Sequence, residues 1–267
     1  MRGILVILGL IAAGPAFSCG SDTDCMIGDR HYRIAMPEAH DGATPVPAVF
    51  FVHGYKGKAS GVMRNGSLRG LANDLGAALI AVQSDGPGWE VPNNPRDPKA
   101  SGEDEYAYFD AVRADAAARF PLDLDRVMVS GFSSGGMMVW NLACARPGDY
   151  AGFVPVAGTF WLNPPETCAE PVASIVHIHG DADNVVPLMG RPIRDVKQGE
   201  VPEALAMYRA FGDFPDPQAV AYDGLDCEES RNVAGRVLDF CMFSGGHSFR
   251  TEHLRHGWDR LVGTGQM

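Results

Sequence analysis

The chain has 267 residues, 46% of them hydrophobic and 21% charged, and 22 basic against 33 acidic side chains give it a formal charge of −11. That length and balance exclude a disordered, collagenous or coiled-coil protein and fit one large α/β domain. The acidic excess argues against nucleic-acid and membrane-surface partners, which are themselves negative, and points to a ligand that is neutral or at least not polyanionic.

Residues 1–18 read as a secretory signal, followed by one domain over 19–267. Met1-Arg2 supplies a positive start, an apolar run fills residues 4–13, and Ala16-Phe17-Ser18 places small residues where a signal peptidase reads. The run falls short of the roughly 20 apolar residues that a bilayer-crossing helix needs. A lipid anchor on Cys19 is a variant of the same idea, but Ala16 stands where such signals place Leu.

From there, short apolar β-branched runs alternate with segments of helical spacing. Residues 31–36 and 48–53 read as strands, the second ending in His53-Gly54-Tyr55-Lys56-Gly57. A helix over 68–77, a strand over 79–83 and a Pro- and Gly-rich loop over 84–102 follow, then a helix over 103–119. The strand at 126–130 runs into Gly131-Phe132-Ser133-Ser134-Gly135, and a helix over 134–145 begins at once. Strands at 153–157 and 174–180, a helix over 202–211, strands at 219–223 and 237–243 with a turn-rich link between them, and a surface helix over 249–261 complete the pass. Runs that are apolar throughout fit strands covered on both faces, so the fold class is α/β, a mainly parallel central sheet with helices on both faces. In such sheets ligands bind beyond the carboxyl ends of the strands.

Gly-x-Ser-x-Gly between a strand and a helix is a nucleophile elbow, which projects the serine hydroxyl above the sheet. Ser133 is therefore the candidate nucleophile; Ser134 lacks glycine at both offsets. The carboxylate belongs past a later strand, where Asp181 and Asp183 compete after His179-Gly180. Asp beside Gly is a turn-former, so Asp183 is preferred as the orienting acid. His247, in the loop after Phe243-Ser244-Gly245-Gly246, can reach the serine as general base, whereas His253 and His256 fall in the terminal helix. The backbone N–H groups of Tyr55 and Ser134 are the candidate oxyanion donors. His53 and His179, each before glycine at a strand end, read as structural. Trp89, Phe160 and Trp161 lie in loops above the sheet and could grip an acyl or aromatic group.

All six cysteines (Cys19, Cys25, Cys144, Cys168, Cys227, Cys241) fall after the signal, and an even count there reads as disulfides. Local spacing favours 19 with 25, 144 with 168, and 227 with 241. No Cys-x-x-Cys pair occurs, which argues against a zinc site, and no metal is expected.

Gly-Phe-Ser-Ser-Gly-Gly-Met-Met, the His53-Gly54 loop, His179-Gly180-x-x-Asp183-x-x-Val186-Pro187 and Gly245-Gly246-His247 together resemble the secreted polyhydroxybutyrate depolymerase and feruloyl esterase family of α/β hydrolases, in family order over residues 25–249. The resemblance implies the α/β-hydrolase fold, hydrolysis of small or oligomeric esters, no cofactor, Asp183 rather than Asp181, and export, to periplasm or medium, stabilised by disulfides. Ser248-Phe249 stands where family members often carry Trp-Pro, so the pocket rim should differ. The absence of a linker and separate binding domain favours short hydroxyalkanoate esters or oligomers over solid polymer. A feruloyl or acetyl esterase acting on plant polysaccharide, or a peptidase with the same triad, fits these residues too. A non-catalytic binding module on the same scaffold would have no need to keep Ser133, Asp183, His247 and the glycine elbow together.

Overall fold

The computed structural model describes residues 19–267, and the expected signal over residues 1–18 lies outside them. The chain enters through a hairpin of β1 (Cys25–Ile27) and β2 (Arg30–Ala35), and then β3 (Val46–Val52) plunges into the core. Helices α1 (Ala59–Arg64) and α2 (Gly66–Asp74) lead to β4 (Ala78–Val82), and α3 (Glu103–Arg119) leads to β5 (Leu122–Phe132). Next come α4 (Ser134–Ala145), β6 (Gly152–Val156) and β7 (Ile175–Gly180). A two-stranded hairpin, β8 (Pro192–Ile193) and β9 (Val196–Lys197), stands outside the main sheet before α5 (Val201–Phe211). Strands β10 (Gln218–Tyr222), β11 (Leu225–Arg231) and β12 (Val237–Phe243) and helix α6 (Thr251–Gly263) finish the fold.

Ten strands form one sheet in the order β1-β2-β4-β3-β5-β6-β7-β12-β11-β10. The run from β4 to β12 is parallel, and both flanks are antiparallel. The period of two along each strand divides the core into two layers. Ala48, Phe50 and Val52 of β3 face the layer built on α3, α4 and α5, while Val49 and Phe51 face that of α1, α2 and α6. Because both faces are covered, β3, β4 and β6 are buried almost end to end, which is why they read as unbroken apolar runs.

The stretch read as a turn-rich link between the last two strands is largely β11, paired with both neighbours. Its inward residues Leu225 and Cys227 alternate with the solvent-facing Asp226 and Glu228, as a one-sided strand requires. The helix α1 and the small hairpin of β8 and β9 also had no counterpart in the sequence reading. The disulfides are Cys19–Cys25, Cys144–Cys168 and Cys227–Cys241, closing separations of 6, 24 and 14 residues. These are the pairs that local spacing favours, and the first leaves no thiol on Cys19 for a lipid. Among the described residues no helix is long and apolar enough to cross a membrane.

Candidate active site

Ser133 occupies the one-residue turn between β5 and α4 with φ 59° and ψ −121°, a conformation that costs an L-residue on the order of 1–3 kcal/mol. The surroundings hold it there. Its N–H donates to the Val156 carbonyl at 2.9 Å, and its own carbonyl accepts from the Met137 N–H at 3.0 Å. At Gly135 any Cβ would lie 2.0 Å from the Val52 carbonyl oxygen, so the helix can approach β3 this closely only with glycine in that place. The loop after β3 meets the turn from the other side: a Cβ on Gly54 would be 3.2 Å from the Phe132 oxygen and 3.5 Å from Ser133 Cβ. Tyr55, the next residue of that loop, and Ser134 line the same cavity as the serine. Ser134 is the first residue of α4, where an N–H has no intrahelical acceptor.

Asp183 follows β7 with its side chain fully buried. Oδ1 accepts from the N–H groups of Val185 at 2.8 Å and Val186 at 2.9 Å, and Oδ2 accepts from His247 Nδ1 at 2.7 Å. Burial alone would push this carboxyl up, but hydrogen bonds from His179, His247, Val186 and Val185 together hold it well below the usual carboxylate range. An ionised Asp183 fixes the proton on His247 Nδ1 and leaves Nε2 as a free acceptor. The imidazole packs against Phe132, the residue before the serine, with ring centroids 4.6 Å apart. Asp181 acts on the loop instead. Its Oδ1 accepts the Gly245 N–H at 2.9 Å and so ties down the segment that carries His247. His253 stacks on Phe243 at 4.4 Å, and His256 lies beside the Cys227–Cys241 bridge; neither reaches Ser133. Cys227, Cys241 and His256 are also the group of possible metal ligands found among the described residues, but both sulfurs are joined in that bridge.

Beneath Asp183 lies a buried chain of hydrogen bonds whose direction its two ends dictate. Trp140 Nε1, a donor only, lies 2.9 Å from His177 Nδ1, and His177 Nε2 lies 2.9 Å from His179 Nδ1. His179 Nε2 then lies 2.8 Å from the Val186 carbonyl, an acceptor only, and 3.5 Å from Asp183 Oδ2. The arrangement closes only if both imidazoles are neutral and carry the proton on Nε2. Burial, then the neighbouring His179, drives His177 well below its ordinary range, in keeping with that state. The chain anchors the 183–186 turn from inside. His179 is thus structural, as its position before Gly180 suggested. His177 was overlooked, although its place two residues before His179 on one strand face was a visible signal.

Above Ser133 opens a cavity of about 320 Å³. Trp89 and Trp161 line it, together with Tyr55, Ser134 and Met137. Trp89 is pinned by its Nε1–H to the His53 carbonyl at 2.9 Å. Phe160 does not line this cavity; it is buried against Trp140, ring centroids 5.6 Å apart, as part of the core. Phe249, at the place of the expected family Trp-Pro, packs on Phe51 and Phe132. Residues missed by the sequence reading line the same cavity: Arg96, Arg191, Arg194 and Gln198.

Sheet order, elbow and the placement of the acid–imidazole pair are those of the α/β-hydrolase fold. Residues 105–193 match the phospholipase/carboxylesterase family model. The Nocardia uniformis subsp. tsuyamanensis protein NocK is 31% identical over 162 residues, which is 60% of this chain and 47% of that one. Feruloyl esterase C of Emericella nidulans is 28% identical over 169 residues, 61% of this chain and 58% of that enzyme. The chain thus spans about half the length of these curated relatives. Acetyl xylan esterase from Aspergillus awamori superposes with a TM-score of 0.64 at 13% identity, over 87% of this chain and 94% of that one, a likeness of fold alone. The chain thus has the α/β-hydrolase fold and is similar in sequence to esterases that match part of its length.

Proposed function

We propose that the protein is an exported carboxylic ester hydrolase that works through an acyl-enzyme on Ser133, with residues 1–18 as signal and 19–267 as the catalytic domain. The observation that carries this reading is the 2.7 Å bond from His247 to a buried, ionised Asp183 beside a serine held in a strained turn. His247 Nε2 takes the Ser133 proton as Oγ attacks the ester carbonyl carbon, and the oxyanion gathers at the N–H groups of Tyr55 and Ser134. Collapse of the tetrahedral intermediate expels the alcohol, which leaves with the proton from His247. Water, activated by the same imidazole, then releases the acid and restores the serine. Three disulfides, which use every cysteine, support export to an oxidising compartment, periplasm or medium.

The substrates are small or oligomeric esters, short hydroxyalkanoates first among them. The likeness to fungal feruloyl esterases, and two tryptophans able to stack on an aromatic acyl group, favour feruloyl esters as the second reading. Hydrolysis of p-nitrophenyl butyrate, methyl ferulate and a hydroxybutyrate dimer, in the presence of chelator, tests the proposal. Turnover of at least one is expected, and Asp183→Asn should lower kcat on the order of 10⁴-fold by trapping the wrong imidazole tautomer. No turnover of any ester by the folded, oxidised protein would overturn it.

A further inference from the structure

The cavity above Ser133 is cationic in a strongly acidic protein. Three arginines line it, Arg96, Arg191 and Arg194, and among the described residues no aspartate or glutamate does. Arg96 is neutralised by Glu90. The other two have no acidic partner among the described residues; Arg191 Nε donates to the Val185 carbonyl at 2.7 Å, and Arg194 Nη1 reaches the Pro95 carbonyl at 3.4 Å. Both side chains retain N–H donors that these carbonyls do not use.

Their support is ordered. Arg191 immediately precedes the small hairpin of β8 and β9, and Arg194 is at its tip in a left-handed turn (φ 53°). The hairpin is clamped to the segment beside it by the Leu162 N–H on the Lys197 carbonyl at 2.8 Å and the Gly199 N–H on the Phe160 carbonyl at 2.9 Å. Just past β9, Gln198, 4% exposed, lines the cavity, and its Oε1 has no hydrogen-bond partner among the described residues. A buried unpartnered acceptor is destabilising, a cost that a donor brought in by a ligand removes. The remaining wall is largely apolar, formed by Trp89, Trp161 and Ile193.

We infer that the preferred substrate is a monoanionic ester: a short apolar chain with the scissile ester at Ser133 and a carboxylate, away from it, held by Arg191 and Arg194, while a substrate hydroxyl donates to Gln198. Planar guanidinium matches carboxylate in a bidentate fork, and two uncompensated charges match one carboxylate rather than a polyanion. Carboxylate-ended hydroxyalkanoate oligomers and half-esters of dicarboxylic acids have this chemistry. A monoanion stays within the expectation, drawn from the net charge of −11, of a ligand that is neutral or at least not polyanionic. This inference rests on the Ser133 site proposed above.

Paired esters test it: p-nitrophenyl hemiglutarate, a monoanion at neutral pH, against p-nitrophenyl valerate, in which methyl replaces the carboxylate. A charge-assisted contact of about 1.5–3 kcal/mol corresponds to roughly a 10–150-fold higher kcat/KM for the anionic ester. That ratio should fall towards one in the double variant Arg191→Gln/Arg194→Gln and with rising salt. A ratio at or below one in the wild type, or a ratio unchanged by the double variant, overturns the inference without touching the Ser133 assignment. If neither ester turns over, the Ser133 reading is judged on the ester panel above, and the carboxylate site is read instead from tryptophan fluorescence titrated with monomethyl glutarate. Saturable binding by the wild type that the double variant loses upholds the site; no saturation, or equal binding by both, overturns it.

Discussion

Replacing His177 with leucine would break the buried chain under Asp183 while roughly keeping side-chain volume. Two groups would lose their partners: the Trp140 indole N–H and His179 Nδ1, each now 2.9 Å from His177. All three residues are completely buried, so water does not replace the lost bonds. At about 1–3 kcal/mol for each orphaned group, the loss should total about 2–6 kcal/mol, against a typical domain stability of about 5–15 kcal/mol. Urea unfolding at neutral pH, read as a shift in midpoint at unchanged slope, measures it. Trp140→Phe made alone and in combination completes the cycle: once Trp140 has lost its N–H, the leucine should cost less, and the two changes should fall short of additive. A loss below about 1 kcal/mol, or full additivity, would refute the stabilising role assigned to this hydrogen-bonded chain.

Two further expectations concern stability. Gly135→Ala puts a Cβ 2.0 Å from the Val52 carbonyl oxygen, a backbone atom that cannot step aside, and should cost at least the 1–3 kcal/mol of ordinary overpacking. Gly70→Ala, mid-helix in α2 with nothing within 4 Å of the new methyl, should instead stabilise by up to about 1 kcal/mol; equal melting temperatures for the two variants would contradict the packing described at the elbow. Acidification should also weaken the fold. Burial holds His53, His177, His253 and His256 below their ordinary range, His253 down at about 4. The unfolded chain therefore takes up protons first, near pH 6.5, and the stability these groups contribute is complete above that value and lost as pH falls towards about 4. Asp239, pushed up to about 6 by burial, acts in the opposite sense between about pH 4 and 6, but it is one group against four. A melting temperature at pH 5 equal to that at pH 7 would contradict this balance.

The central sheet was legible because its strands are buried on both faces and bounded by turns, and α3, α4 and β12 begin and end where the sequence reading set them. The elbow was legible for a related reason: close approach of backbone at Gly135 restricts residue choice, and such restriction survives in a single sequence. Strand β11 was obscured by its own environment. With one face in solvent it carries Asp226, Glu228 and Glu229, which resemble a loop. Yet Asp223-Gly224, the two residues between paired Tyr222 and Leu225, was a hairpin signal open to reading. The relay below Asp183 and the guanidinium pair above Ser133 depend on which segments the topology brings together. Arg191 and Arg194 meet Trp89 and Ser133 across long separations in sequence, and no local spacing reports that.

The proposed ester hydrolysis requires Ser133 to be a working nucleophile. Fluorophosphonate labelling of the mature, oxidised protein with peptide mapping, beside Ser133→Ala, tests this most directly. A single adduct on Ser133 that disappears in the variant is the predicted result. A folded protein that takes no label, or a variant labelled as well as the wild type, would contradict it.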